Sequence, residues 1–314
     1  MISSESLAAR VPDSLSGFRL DQALAQMFPE FSRSRLQTWI RGGRVQVDGQ
    51  SLRPRDRVEG GEIVQLDSEP EALTNCEPED LPLDIIFEDD SLIVVNKPAG
   101  LVVHPAAGNW RGTLQNALLN HDPGLAPLPR AGLVHRIDKD TTGLLVIART
   151  LSAHKVLVDQ LQARTIKREY FAIVQGTLPA GGAVDEPIAR HPVDRKRFAV
   201  HENGKAAVTH FRVAERLPHH TLIRVSLETG RTHQIRVHMA HLRYPIVGDP
   251  VYGGRFRIPA GCTPDSIEPL RQFRRQALHA AHLGLIHPST GRYCEWHVEM
   301  PEDLGALLEA LRKL

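Results

Sequence analysis

The sequence predicts an α+β protein with two domains. Short apolar segments with alternating or continuous hydrophobic residues, such as KREYFAIVQG at 167–176, recur along the chain and are typical of β-strands. Apolar residues at helical spacing occur in fewer, separate segments. An acidic segment at 67–82 contains prolines and little periodicity, which is typical of a linker. We therefore expect an N-terminal domain at residues 1–66 and a larger domain at residues 83–314.

The composition is that of an ordinary soluble globular protein. Hydrophobic residues make up 41% of the chain, charged residues make up 24%, and the formal net charge is +1. So small a charge means that any nucleic-acid surface must be local. The three cysteines are far apart and form no CxxC pair, which favours a reducing cytoplasm over a disulfide framework. No run of about 18 apolar residues occurs, so we expect neither secretion nor a membrane span.

The N-terminal domain is expected to contain a polar tail, two helices and two strands. Apolar residues at i, i+3, i+4 and i+7 predict the first helix at 19–27. A second helix should follow a serine cap and end at the glycine pair 42–43. The segments 45–50 and 62–66 have the pattern of strands.

This domain has a local excess of positive charge. Residues 19–58 contain eight arginines and four acidic residues, a local charge of +4. On the second helix, Arg33, Arg35 and Arg41 are candidate contacts to RNA phosphates, which would position RNA without reading its sequence. A basic helix face that is simply solvated is the alternative.

The larger domain should be rich in strands. Strand-like runs lie at 84–90, 91–100, 131–134, 144–148, 167–176, 206–215 and 221–230. Helical spacing predicts helices at 113–119, 152–164 and 302–312, and a further helix after Thr232 that turns Ile235 and Met239 inward. Residues 185–205 are expected to form a long basic loop.

The segment HRIDKDTTG at 135–143 carries unusually many charges for a turn. It holds two carboxylates, Asp138 and Asp140, together with a histidine, an arginine and a lysine, between two apolar runs. One or two polar groups normally satisfy the backbone of such a turn. The spacing alone fits an aspartate that caps the turn as well as it fits a catalytic carboxylate.

Three motifs resemble those of the RluA-type pseudouridine synthases. They are HRIDKDTTGLLVIA at 135–148, NKPAGLVVHP at 96–105 and LETGRTHQIRVH at 227–238. The usual family form of the first motif is HRLD, and the isoleucine here keeps that position apolar. Residues 18–66 also resemble the S4 RNA-binding module.

The resemblance implies roles for individual residues. Asp138 is the implied catalytic aspartate, Tyr170 the active-site tyrosine, and Arg231 the arginine that pairs with Asp138 and aims it. His135 and Arg136, beside Asp138, are the implied substrate contacts. In the family the second motif lies near the substrate pocket, whereas the residues taken alone favour Lys97 and His104 as solvent-facing and packing residues.

The resemblance also implies a fold and a chemistry. The family fold is α+β, with a largely antiparallel central sheet and a cleft across its middle. Pseudouridine formation breaks the N1–C1′ bond of uridine and rejoins the base through C5, so we expect no cofactor and no metal. The sequence contains neither the GxGxxG nor the GxxxxGK[ST] pattern of nucleotide sites.

Two further segments point to a substrate within this family. RHPVDRKRFAVHENGKAAVTH at 190–210 and VGDPVYGG at 247–254 resemble members that modify the helix 69 loop of large-subunit (23S) ribosomal RNA. We therefore expect ribosomal RNA, or a ribosomal precursor particle, as the partner of a monomeric protein.

Other functions fit parts of the pattern. The chain can be an RluA-type synthase for another rRNA or tRNA site, or a non-catalytic RNA-binding assembly factor. Asp138 and Asp140 can form a glycosidase pair, although 5% aromatic residues is few for such a cleft. The pairs His238/His241 and His279/His282 have the i, i+3 spacing of helical metal ligands, but no clear third ligand accompanies them.

Overall fold

The chain folds into two compact units, each with its own hydrophobic core. They are Met1–Asn75 and Cys76–Leu314, and the division between them falls in the segment expected to be a linker. The computed structural model describes residues 5–28, 31, 33–68, 76–105, 108–194, 197–254 and 268–314, with the backbone alone for Glu5, Ser34, Arg35 and Ser68.

The first unit is a three-stranded antiparallel sheet with two helices. Its elements are β1 (Glu5–Arg10), α1 (Leu20–Met27), α2 (Arg33–Arg41), β2 (Val45–Val47) and β3 (Ile63–Ser68), in the strand order β1-β3-β2. The two predicted helices and two predicted strands are confirmed. The prediction of a polar tail is wrong for residues 5–10. Leu7 and Ala9 lie on one face of this strand and pack against the core, and the backbone pairs with β3.

The second unit contains a nine-stranded sheet. Its strands are β4 (Ile85–Glu88), β5 (Leu92–Lys97), β6 (Thr142–Ala148), β7 (Lys167–Gln175), β8 (Gly182–Asp185), β11 (Val208–Arg216), β12 (His220–Leu227), β13 (Leu278–Ile286) and β14 (Tyr293–His297). Their order in the sheet is β4-β5-β6-β13-β7-β12-β11-β8, and β14 pairs with β13. The strands β9 (Ile188–Arg190) and β10 (Phe198–Val200) form a separate hairpin. Its helices are α3 (Leu114–His121), α4 (Leu151–Gln162), α5 (Gln234–His241), α6 (Glu268–Gln272) and α7 (Glu302–Arg312). Neighbouring strands are antiparallel except β6 and β13. The expected α+β fold with a largely antiparallel sheet is confirmed.

Both faces of this sheet are covered by hydrophobic side chains. Ile93 and Val95 of β5 belong to one buried cluster, whereas Leu92 and Val94 belong to another. Successive residues of a strand point to opposite faces, so a strand covered on both sides needs a continuous apolar run. Helix α4 closes the second cluster through Leu157, and the leucines of α7 belong to the first.

The strand predicted at 131–134 does not form. Pro129–Gly132 is a 3-10 helix in which two residues have a φ of 52°, and this left-handed backbone interrupts the extended chain. Only Leu133 bridges β6, opposite Ile147. The chain therefore reaches the charged segment 135–143 as an irregular loop.

The long basic loop predicted at 185–205 contains regular structure. The hairpin of β9 and β10 lies within it. Two basic residues of the loop, Arg195 and Lys196, lie outside the described residues. Cys76 and Cys294 are free thiols, and Cys262 also lies outside the described residues. In the described parts of the chain, no helix combines the length and the apolar character needed to cross a membrane.

Candidate active site

Asp138 lies in the irregular loop that leads into β6. The backbone N–H of Thr141 donates to the carbonyl oxygen of Asp138 at 3.1 Å, which closes a turn just before the strand. At the start of β6, Gly143 has a φ of +111°, and a Cβ there would lie 2.2 Å from the carbonyl oxygen of Ala280. Only glycine allows β6 to approach β13 this closely. The loop with Asp138 is thus fixed at one end by the sheet.

Lys97, at the end of β5, fixes the other side of this loop. Its side chain is buried, and its Nζ donates to the carbonyl oxygens of Pro98, Leu101 and Lys139 at 2.7, 2.9 and 2.8 Å. An ammonium group has three protons, one for each acceptor. Burial lowers the pKa of Lys97 to about 7, although the charges of Asp140 and Asp138 act in the opposite direction. The expectation that Lys97 is solvent-facing is wrong, since it ties the loop to β5.

Arg236 is the ion-pair partner of Asp138. Its Nη1 donates to Asp138 Oδ2 at 2.8 Å, while its Nε and Nη2 donate to the two carboxylate oxygens of Asp249 at 2.7 and 2.9 Å. Both Arg236 and Asp249 are buried. Burial alone would lower the pKa of Arg236, but hydrogen bonds to Asp249 and the charge of Asp138 raise it above its ordinary value. Asp249 therefore holds the guanidinium so that its remaining arm meets Asp138.

Arg231 does not take this position. It is exposed, and its Nε donates to the backbone carbonyl of Ala206 at 3.1 Å. The predicted pairing of Arg231 with Asp138 is wrong. Helix α5 begins at Gln234, so Arg236 lies in its first turn and faces the pocket, whereas Arg231 precedes the helix at the rim of the pocket.

His233 is a second group close to Asp138. It is the N-cap of α5 with a φ of 57°, and its Nε2 lies 3.9 Å from Asp138 Oδ1. Its Nδ1 lies 2.9 Å from the hydroxyl oxygen of Tyr252, which accepts the backbone N–H of Phe198. The hydroxyl keeps its own proton and a second lone pair, so it donates to Nδ1 or accepts from it according to the tautomer of His233. Burial lowers the pKa of His233, with Asp138 opposing the shift.

A small pocket of about 70 Å³ brings these groups together. Asp138, Arg236 and His233 line it together with Tyr170 from β7. Burial raises the pKa of Tyr170 above its ordinary value, so its hydroxyl is protonated at neutral pH. Among the described residues that line this pocket, Asp138 is the one carboxylate. Asp140 does not line it, which argues against the glycosidase pair.

The two predicted substrate contacts beside Asp138 differ in their surroundings. His135 accepts the backbone N–H of Val146 at its Nε2 at 3.2 Å, and burial, assisted by the charge of Arg168, lowers its pKa to about 3. It is a neutral residue that braces the loop against β6. Arg136 is exposed, and its Nη1 donates to the Nε2 of His104 at 3.3 Å. Both residues line the larger groove beside the pocket, and their roles as substrate contacts stay predictions.

Known proteins are similar to this chain in sequence and in fold. Residues 91–241 match the family model of the RNA pseudouridylate synthases, and residues 18–64 match that of the S4 domain. The Pseudomonas aeruginosa protein named ribosomal large subunit pseudouridine synthase D is 57% identical over 98% of this chain and 96% of its own length. This chain belongs to the RNA pseudouridylate synthase family. The Escherichia coli K12 protein of the same name is 54% identical over 98% of this chain and 94% of its own. The chain is thus an RNA pseudouridine synthase, as its three motifs predicted.

Two solved structures of the pseudouridylate synthase fold are similar to this one. Human RNA pseudouridylate synthase domain containing 4 covers 73% of this chain and 93% of its own, with a TM-score of 0.56 and 28% identity. Human RNA pseudouridylate synthase domain containing 1 covers 79% and 98%, with a TM-score of 0.54, and at 23% identity it supports the fold alone.

In this synthase, reasoning from the sequence missed several residues that line or support the pocket. Arg236 stands in the same motif as Arg231, so the motif signalled an arginine without deciding between the two. Asp249 lies in VGDPVYGG, which was used only as a sign of the substrate. No feature of the sequence singled out Arg168, which lies two residues before Tyr170 and also lines the pocket.

The S4 unit of the synthase uses part of its positive charge internally. The fully buried carboxylate of Asp21 accepts hydrogen bonds from Arg19 at 3.1 Å, Arg33 at 2.7 Å and Gln37 at 2.6 Å. Burial would raise the pKa of Asp21, but these partners hold it below its ordinary value. Arg33 is therefore partly a structural residue, whereas Arg41 is exposed. The side chain of Arg35 lies outside the described residues.

The histidines suspected of metal binding lie in different surroundings in this synthase. His238 is buried in α5 with its Nδ1 2.8 Å from the hydroxyl of Thr209 and its Nε2 3.0 Å from the carbonyl of Glu186. His279 and His282 lie on strand β13 and not on a helix. Within the described residues, one group of three possible ligands is close together, His282, Glu295 and His297 on the β13–β14 hairpin. The absence of a required metal stays a prediction.

Proposed function

We propose that this synthase converts uridines of large-subunit ribosomal RNA to pseudouridine, with the helix 69 loop as its target. The relatives at 54–57% identity bear the name ribosomal large subunit pseudouridine synthase D, which supports the choice of RNA. The segments 190–210 and 247–254, with their resemblance to helix 69 enzymes, support the choice of loop. The observation that carries the chemistry is the contact of 2.8 Å between Asp138 and Arg236 inside a pocket that also contains Tyr170.

Asp138 is the group we assign to the bond change at C1′. The N1–C1′ bond breaks, the base turns, C5 bonds to C1′, and the proton on C5 is replaced by one on N1. A carboxylate near C1′ can form a covalent intermediate or act as the base in an elimination, and this pocket suits both routes. Arg236 restricts the rotation of the carboxylate, so that its Oδ1 is the oxygen left for the substrate.

Tyr170 is the residue we assign to contact with the base. Its ring lies in the pocket wall formed by β7, and its protonated hydroxyl can donate a hydrogen bond to the uracil. Burial disfavours the phenolate form of Tyr170. We therefore assign Tyr170 first to contact with the base and to hydrogen-bond donation, and only second to assistance with proton removal at C5.

The target uridine must leave its stack to reach this pocket. Extrusion costs a few kcal/mol and least for nucleotides in loops, which agrees with a loop as target. Arg136 is exposed and lines both the pocket and a larger groove beside it. It is placed to fill the space that the base vacates or to hold a phosphate.

Release of tritium from C5-labelled uridine tests this proposal. The RNA would be a large-subunit transcript that contains helix 69, and precursor particles would be tested beside it. We expect release by the native protein and none by Asp138→Asn, which keeps the shape of the side chain. Asp140→Asn, the same change two residues away and outside the pocket, should retain release.

The positions of the new pseudouridines would then be mapped by carbodiimide modification and primer extension. Modification outside helix 69 would assign another rRNA site. Undiminished release by Asp138→Asn would place the chemistry elsewhere. No release by the native protein on RNA or particles would favour an RNA-binding assembly factor.

A further inference from the structure

Arg168 of β7 is a buried arginine without a carboxylate partner among the described residues. The residue is 8% exposed, and its Nε has no hydrogen-bond acceptor in the parts of the chain that the structure describes. The other two arginines buried in the described ranges are paired, Arg236 with Asp138 and Asp249, and Arg275 with Asp303 at 2.7 Å. An uncompensated charge costs folding free energy when it is buried. A group kept in this state suggests that its counter-charge arrives with a ligand.

The position of Arg168 indicates where that ligand lies. Arg168 lines the small pocket with Asp138, and it also lines the adjoining groove of about 540 Å³. Gly230 faces it, and a Cβ at Gly230 would lie 2.9 Å from Arg168 Nη1. The missing side chain at Gly230 leaves room for the guanidinium at the junction of the two cavities.

The groove has an excess of positive charge. Four more arginines line it together with Arg168: Arg130, Arg136, Arg164 and Arg231. One carboxylate, Glu228, lines it among the described residues, and Glu228 already accepts hydrogen bonds from Arg164 at 2.8 Å and His210 at 2.7 Å. Apolar side chains also line it, those of Leu133, Val134, Val158 and Leu161. Arginines around an apolar surface suit a nucleic-acid strand with bases on one side and phosphates on the other.

We propose that Arg168 binds a backbone phosphate of the RNA strand at the point where the target nucleotide passes from the groove into the pocket. The inference rests on the proposed function, because it takes the ligand to be the RNA substrate. A phosphate supplies both the missing charge and acceptors for the planar guanidinium. Arg168 is then a positioning residue: it fixes the strand so that C1′ of the extruded uridine reaches Asp138.

The salt dependence of RNA binding distinguishes a phosphate contact from other roles. The measurement is the fluorescence anisotropy of a labelled helix 69 stem-loop RNA, titrated with protein between 50 and 200 mM KCl. The slope of log K against log salt concentration is negative. Loss of one phosphate contact on a single strand makes this slope less steep by about 0.7. We expect this reduction for Arg168→Gln and a slope near the native one for Arg168→Lys.

A control and a second measurement complete the test. Arg212→Gln changes an exposed arginine of β11 that lines neither cavity, and its slope should equal the native one. Arg168→Gln should not lower the Tm, since it removes an unpaired buried charge, yet it should reduce kcat/KM for tritium release by at least about 10-fold.

Two results would overturn the inference. Binding by Arg168→Gln that weakens equally at all salt concentrations would indicate an uncharged contact, and a lower Tm with an unchanged slope would indicate a structural residue. If the native protein releases no tritium but the slope still depends on Arg168, the proposed function fails and the phosphate site stands.

Discussion

Arg236 reaches Asp138 at 2.8 Å, whereas Arg231, five residues earlier in the same motif, donates to a backbone carbonyl and faces solvent. The difference arises from Asp249, which accepts two hydrogen bonds from Arg236 and leaves its third arm directed at Asp138. The pocket thus depends on a chain of three charges, of which the outer carboxylate, that of Asp249, does not line the pocket.

Replacement of Arg236 should affect both stability and catalysis. Arg236→Gln leaves the fully buried Asp249 without its partner, which should lower the free energy of unfolding by about 3–5 kcal/mol. It also frees Asp138 to rotate, and misplacement of a reacting group by about 1 Å can lower kcat about 10²-fold. Arg231→Gln is the matched control and should change stability by less than about 0.5 kcal/mol. Urea unfolding and tritium release would be measured for both variants. Larger losses of stability and activity in Arg231→Gln than in Arg236→Gln would make Arg231 the partner of Asp138.

Asp249 should make the enzyme sensitive to acid. Burial would raise the pKa of Asp249, but hydrogen bonds from Arg236 hold it below its ordinary value. The folded-state pKa is lower than the unfolded one, so the stabilisation is complete above about pH 4 and is lost as the pH falls through the folded-state pKa. Asp249→Asn should therefore be less stable than the native protein at pH 7, by a margin that shrinks below about pH 4. Urea unfolding at a series of pH values checks this, and a margin independent of pH would mean that Asp249 is not charged in the folded protein.

Lys97 should stabilise the loop of Asp138 through its three carbonyl contacts. Lys97→Met keeps most of the volume but removes the donors, and should lower the free energy of unfolding by about 2–4 kcal/mol and reduce kcat. The control, Lys139→Met, changes an exposed lysine of the same loop and should be nearly neutral.

The lowered pKa of Lys97 should make the free energy of unfolding rise with pH. Burial lowers the folded-state pKa of Lys97 to about 7, so the unfolded chain binds more protons than the folded one between about pH 7 and pH 10. The free energy of unfolding should increase across this window in the native protein and less so in Lys97→Met. Equal slopes in the two proteins would show that the three carbonyls keep Lys97 protonated throughout.

In the S4 unit, replacement of the two arginines at the ends of α2, Arg33 and Arg41, should have different effects. Arg33→Gln removes hydrogen bonds from the buried Asp21 and should lower the Tm of this unit, at a cost of about 1–3 kcal/mol. Arg41→Gln should leave the Tm unchanged but weaken RNA binding with a smaller salt slope, because Arg41 is exposed. Calorimetry and anisotropy on the two variants test this separation. A Tm loss in Arg41→Gln, or none in Arg33→Gln, would contradict it.

Local patterns determined much of this fold in advance. The final helix was predicted at 302–312 and occurs at Glu302–Arg312, because its leucines repeat at helical spacing and Pro301 precedes its first turn. The helix at 20–27 was predicted from the same spacing, and the helix at 33–41 was predicted from a serine cap and the glycine pair that follows it. These elements depend on neighbours in the sequence, which periodicity reports directly.

The misassigned residues depend on contacts that are distant in the sequence. Lys97 is buried because carbonyls from two segments converge on it, and the pairing of Arg236 depends on where α5 begins and on Asp249. Residues 5–10 form a strand only because β3, more than 50 residues later, supplies its partner. Spacing within one segment contains no information about such partners. The family resemblance of the motif 227–238 led to Arg231, although the same motif also contains Arg236.

Strand β13 lies between β6 and β7 in the sheet, although everything from β8 to β12 is synthesised before it. On the ribosome, β6 and β7 must therefore wait for a partner that emerges much later. Thr142, which follows the loop of Asp138, waits for the same strand, since its hydroxyl lies 2.9 Å from Nδ1 of His279. The S4 unit draws its core from its own residues and can mature while the rest of the chain is still being made. A nascent chain thus completes its RNA-binding module well before it is able to modify a uridine.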